Sequence, residues 1–195
     1  MLHRSVVQDE EMVDWFLWHG ADPNARCSYD ITPLSYAVRD APVPTIQKLF
    51  DRGGSIHAGQ LLHFAVYRKA PDVLEVLSFL LDKGAPINDV MYQNDEMSYK
   101  MEVYEQKGTA LHSAAMQGRL DLVQFLIANG AHPAIRDAYG LTPLQWAEKE
   151  GALSVVTYLR PVVARAAPLD KHFTDGRRAW NWEAYHEDKK QENRL

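Results

Sequence analysis

Several things are scarce in this chain, and each scarcity excludes something. Cys27 is the only cysteine in 195 residues, so no disulfide can form within the chain, as suits a reducing compartment. No apolar run approaches the ~18 residues that a membrane helix needs. Met1 to Glu11 lacks the apolar core of a signal peptide, so cytoplasm or nucleus is the expected location. Lys and Arg never occur in runs longer than two and the net charge is −5, which speaks against nucleic acid as the partner. Membrane binding is not expected either.

Motifs that carry chemistry are also missing. Of the 8 histidines, none pairs with cysteine at zinc-finger spacing, and no His-Glu-x-x-His occurs, so no metal site is expected. No serine sits in a nucleophile elbow, and the glycines fall in turns rather than in a phosphate loop. The expectation is a protein without catalytic residues and without a cofactor.

What the chain does have is a repeat. Gly20-Ala21-Asp22-Pro23-Asn24, Gly53-Gly54-Ser55-Ile56-His57, Gly84-Ala85-Pro86-Ile87-Asn88 and Gly130-Ala131-His132-Pro133-Ala134 share one pattern. Two doublets precede each glycine, the first eight residues before it: Met12/Val13 with Phe16/Leu17, Thr45/Ile46 with Leu49/Phe50, Val76/Leu77 with Leu80/Leu81, and Leu122/Val123 with Leu126/Ile127. Val155/Val156 with Leu159 is a further copy without a closing glycine. Upstream of the doublets stand Thr32-Pro33-Leu34-Ser35-Tyr36-Ala37, Gln60-Leu61-Leu62-His63-Phe64-Ala65, Thr109-Ala110-Leu111-His112-Ser113-Ala114 and Thr142-Pro143-Leu144-Gln145-Trp146-Ala147. Thr suits an N-cap, Pro the first helical position, and small Ala the close approach of a neighbouring helix. The final Gly supplies the left-handed residue that stops the second helix. Each unit is therefore predicted as helix, turn, helix and a hairpin-like loop, and units of this kind bury their apolar faces only by stacking.

The Thr-Pro-Leu-His-x-Ala and Gly-Ala-Asp-x-Asn signatures resemble those of ankyrin repeat proteins, over about residues 2–160. The resemblance implies an all-α solenoid of about five units, the first and last incomplete. The array is expected over residues 1–165, with a tail or capping helix over 166–195 in which Trp180 or Trp182 covers the last helix pair. Spacing marks three irregularities. From closing glycine to the next Thr position is 12 residues at Gly20 and at Gly130, but 7 from Gly53 to Gln60 and 25 from Gly84 to Thr109. The turn around Arg68-Lys69-Ala70-Pro71 is also longer than its counterparts. The extended hairpin resembles that of ankyrin proteins of filamentous fungi.

The resemblance further implies a protein-interaction scaffold or adaptor, monomeric, that binds another protein through its concave face and hairpin tips. Carried over by position, the candidate contacts are Tyr29, Ile31 and Tyr139 at the tips, with Arg39, Tyr67, Arg68, Met116, Gln117 and Lys149 on the exposed side of the first helices. Residues 89–107, rich in Met and Tyr, add Tyr92, Tyr99 and Tyr104. This segment has two open readings, recognition of a partner or cover for the surface that the short hairpin leaves bare. An enzyme or enzyme-associated domain with a small-molecule site in the concave face is the alternative. His63 and His112, at the motif histidine, are expected to hydrogen-bond neighbouring loop backbone, and Tyr36, Phe64 and Trp146 to pack between repeats.

Overall fold

A computed structural model describes residues 6–27, 29–93, 95, 98 and 107–169. Among them the secondary structure is helical, with no strand. The chain forms two compact units, one built on residues up to 87 with 95 and 98, the other on 88–93 and 107–169.

The first unit holds α1 (Glu10–Trp18), α2 (Pro33–Asp40), α3 (Val43–Asp51), α4 (Leu61–Ala65) and α5 (Val73–Asp82). Here α2 packs on α3 and on α4, and α4 packs on α5. The second unit holds α6 (Ala110–Met116), α7 (Leu120–Ala128), α8 (Pro143–Lys149) and α9 (Leu153–Arg165). In it α6 packs on α7 and α8, and α9 on α7 and α8. Each first helix thus meets both its own second helix and the first helix of the adjoining repeat, which is stacking as the periodicity predicts.

Local chemistry explains where the helices begin and stop. Thr32 and Ser35 cap α2 reciprocally, the Thr32 N–H donating to Ser35 Oγ at 3.0 Å. Thr142 and Gln145 do the same for α8, at 2.9 Å and 3.3 Å. Gly20, Gly53, Gly84 and Gly130 all take positive φ, and the N–H after each closes on the carbonyl of Phe16, Leu49, Leu80 or Leu126. Most of the doublet residues face inward: Ile46, Leu49, Leu77, Leu80, Leu122, Val123, Leu126 and Leu159 are fully enclosed, while Met12 is exposed. α9 runs on through Pro161, which is exposed, and ends at Arg165.

The asparagine of the closing turn has a task that the pattern did not disclose. Asn24 donates from Nδ2 to Gly53 O at 2.8 Å and accepts from the Ser55 N–H at 2.7 Å. Asn88 repeats this with Gly130 O and the His132 N–H, at 3.2 Å and 2.8 Å. One amide side chain thereby satisfies both a donor and an acceptor of the next closing turn.

The shortened hairpin is paired with close backbone approach. Gly59, at positive φ, brings its carbonyl onto Ser35 Oγ, and a Cβ there would meet Thr32 Oγ1 and Ser35 Oγ at 2.3 and 2.4 Å. Only glycine suits this position. Gln60, in the Thr position, is left-handed and provides no side-chain cap, and α4 is correspondingly only five residues long. The long turn after α4 is held instead by Arg68. Its guanidinium is buried, donates to Ala41 O at 2.8 Å and to Asp72 Oδ2 at 2.7 Å, and holds the Asp72 carboxyl below the usual carboxylate range. The expectation that Trp180 or Trp182 caps the array falls outside the described residues.

Candidate functional site

The register that relates the repeats places two equivalent clusters, one in each unit. In the second unit the tip residue Asp137 is buried and satisfied from three sides. Its Oδ1 accepts from the N–H groups of Tyr139 and Leu141, both at 2.9 Å, and Oδ2 accepts from the indole N–H of Trp146 on α8. One carboxylate therefore fixes the tip and ties it to the first helix. Tyr139 lies edge-on to Trp146 with centroids 6.4 Å apart. The Lys149 ammonium sits 4.4 Å above the Trp146 ring. Tyr139 is 56% exposed, Lys149 is exposed, and Lys149 has no carboxylate partner among the described residues.

In the first unit Tyr29, Tyr36 and Arg39 occupy the corresponding positions. The Arg39 guanidinium lies 5.6 Å from the ring centroids of both Tyr36 and Phe64. It also grips Asp40 Oδ2 through Nε and NH2, at 3.0 and 2.9 Å. Arg39 is only 22% exposed, and Tyr29 is half-buried. This cluster is largely satisfied internally.

The other expected contacts divide. Tyr67 and Gln117 are exposed and Met116 is half-buried, so they remain on the surface. Ile31, Arg68 and Tyr92 are not available. Ile31 turns inward as the last residue of its tip, with its carbonyl accepting from the Cys27 N–H at 3.0 Å. Arg68 is consumed by Asp72 and by the backbone at the end of α2. Tyr92 is among the largest enclosed side chains, in a left-handed turn that follows the bond from the Met91 N–H to Gly108 O. Val90, Met91 and Ser98 are buried as well, whereas Asp89, Gln93, Asp95 and Lys107 are half-buried. Tyr99 and Tyr104 lie outside the described residues. The Asp137 hub went unnoticed in the sequence, although Asp137-x-Tyr139 is a signal for a carboxylate accepting from the backbone two residues on.

His112 serves the fold of the second unit. His112 is buried, its Nδ1 accepts from the Thr109 N–H at 3.0 Å, and its Nε2 meets Leu141 O at 3.1 Å. The accepted bond assigns the proton to Nε2, as expected of a neutral histidine joining two loops. Burial pushes its pKa down to about 4, although Asp137 pulls the other way. Among the described residues no group of three or more His, Cys, Asp or Glu could hold a metal, and no helix is long and apolar enough to cross a membrane.

Residues 62–166 match the model of the family described as ankyrin repeats in three copies. The chain belongs to the ankyrin repeat family. Its relatives agree. Over 127 residues, 65% of this chain, it is 29% identical to the ankyrin repeat and KH domain-containing protein mask-1 of Caenorhabditis elegans, covering 4% of that protein. It is 28% identical over 85% of its length to the B-cell lymphoma 3 protein homolog of Mus musculus, covering 34% of it. It is 43% identical over 29% of its length to cyclin-dependent kinase inhibitor 2A of Monodelphis domestica, covering 33% of it. The chain thus spans about a third or less of these relatives. Ankyrin repeats are protein-interaction modules, generally without catalysis of their own.

Proposed function

We propose that this ankyrin array is an adaptor that binds another protein through the tips and first-helix surface on the concave side of its repeats, with the cluster Tyr139, Trp146 and Lys149 as the principal contact. One observation carries the reading: Lys149 is exposed and lacks a carboxylate partner among the described residues, while its ring platform is fixed from behind by Asp137. A preorganised aromatic beside an exposed cation loses little conformational freedom on binding. Tyr, Trp and cationic residues of this kind dominate interface energetics. The cation selects a partner segment that offers a carboxylate, and the phenol of Tyr139 adds a hydrogen bond and apolar area. Gln117 and Met116, in the same unit, supply further surface at the end of α6. The setting is cytoplasmic or nuclear.

The test is quantitative capture from the native cell by wild type and by the double variant Tyr139→Ala/Lys149→Ala, followed by mass spectrometry. Proteins retained by wild type and lost by the variant, at unchanged helicity and melting temperature, identify the partner. An identical captured set from both proteins would move the binding surface elsewhere.

A further inference from the structure

A second surface lies on α1, away from the tips. Met12 occupies the register position held by Thr45, Val76, Leu122 and Val155 in the other repeats. Those four are at most 1% exposed, whereas Met12 is 43% exposed. Trp15 is 54% exposed and Trp18 81%. Spacings of three along α1 put Met12, Trp15 and Trp18 on adjoining parts of one face. Large apolar side chains grouped in this way mark an interaction surface, where single exposed residues would need no explanation.

Within the patch Trp15 is also held in place. His19 stacks on Trp15 with centroids 4.0 Å apart, and its Nδ1 bonds Trp15 O at 2.6 Å. Phe16 packs edge-on to the same indole at 5.2 Å. Asp14, Trp15, Trp18 and Arg52 line an open recess of about 430 Å³. A ring fixed in this way is an anchor with little rotamer entropy left to lose.

Charge says what covers it. Asp9, Glu10, Glu11 and Asp14 run from the N-cap into the second turn, and α1 contains no Lys or Arg. Lys48, the cation that reaches these acids from α3, is already shared between Asp14 at 2.6 Å and Glu10 at 2.9 Å. Arg52 at the rim adds one positive charge. Glu11 is exposed and has no ion-pair partner among the described residues. A second copy of the chain would bring the same acids against themselves, which costs rather than gains. We infer that this face of α1 docks a basic, apolar-bearing peptide segment of another protein, its Arg or Lys side chains over the indoles and against Glu11, its apolar side chains on Met12 and Trp18. Arg stacked on Trp is the strongest pairing of this type.

The experiment uses the whole chain and a short fluorescein-labelled peptide of leucine and arginine patterned as an amphipathic helix, with its leucine–glutamate counterpart as control. Binding is read by fluorescence anisotropy, and self-association by sedimentation. The arginine peptide should bind at least about tenfold more tightly than the glutamate peptide. Trp15→Ala/Trp18→Ala should weaken it by about tenfold or more without lowering the melting temperature, since both rings are exposed. Glu11→Lys should weaken it in the same direction, and Tyr139→Ala/Lys149→Ala should leave it unchanged. Equal affinity for the two peptides, or wild-type affinity in the tryptophan variant, overturns the inference. So does a concentration-dependent dimer that the tryptophan changes abolish, because the face is then a self-association surface.

Discussion

Tyr29, Tyr36 and Arg39 in one unit and Tyr139, Trp146 and Lys149 in the other stand at the same register positions, yet they behave differently. Arg39 is tied to Asp40 and laid between Tyr36 and Phe64, so its charge and its rings are already used. Lys149 rests on Trp146 and has no carboxylate partner among the described residues. The difference begins one turn earlier. Asp137 holds its own tip and the Trp146 indole, whereas the equivalent residue of the first unit is Cys27, which cannot act as a carboxylate. A repeat position defines where a side chain emerges. Its neighbours decide whether it has binding capacity left.

The sharpest way to break this comparison is to remove the hub. Asp137→Ala leaves two backbone donors and an indole N–H without their acceptor in a buried site. It should cost about 4–5 kcal/mol in urea denaturation, while Cys27→Ala should stay within about 1 kcal/mol. Similar losses at both positions would end the argument that the two tips are built differently.

The first unit has a different anchor. Arg68→Met removes the guanidinium that serves Ala41 O and Asp72, and should cost about 3–4 kcal/mol, because a partly buried carboxylate and a helix-end carbonyl lose their donor. A loss under about 1 kcal/mol would show that the long turn after α4 holds itself.

A pH series separates the units further. His112 titrates near its ordinary 6.5 when unfolded and near 4 when folded, so the unfolded chain binds more protons between these values. Its contribution to stability is complete above pH 6.5 and falls as the pH drops toward 4, by roughly 3 kcal/mol over the window. Urea midpoints measured across that range should decline, and His112→Gln should flatten the part of the slope due to this residue. At the equivalent position in the first unit Ser35 joins α2 to Gly59 without a titratable group. An unchanged slope in the His112→Gln protein would reassign the acid sensitivity.

The smallest expected effect is on binding. Lys149→Ala should weaken the captured partner by about 1–2 kcal/mol. Arg39→Ala should change binding by less, because Arg39 must first release Asp40.

Much of the fold was legible in the sequence because its signals are local. The Thr/Pro starts, the glycine stops and the inward doublets each depend on a few neighbouring residues, and the helices lie where those signals put them. The site was less legible, since exposure depends on what lies across the stack. Ile31 is buried where its counterpart Leu141 is half-buried, and Arg68 is buried where its counterparts Gln117 and Glu150 are exposed. For Arg68, the spacing to Asp72 was the available sign of a structural role. Met12 fits the doublet pattern, yet it emerges on the surface. The pattern records which face of a helix is apolar and leaves open what covers that face. Asn24 and Asn88 bond across the stack to backbone 29 to 44 residues away, beyond the reach of a local motif.

The central claim, that the Tyr139–Lys149 cluster is the principal contact while its counterpart is internally satisfied, is tested most directly by hydrogen exchange on the complex with a captured partner. Amides from the 137–141 tip through α8 should gain protection on binding, and more than those of the 27–31 tip and α2. Protection confined to the first-unit tip and α2, or to the second helices, would contradict it.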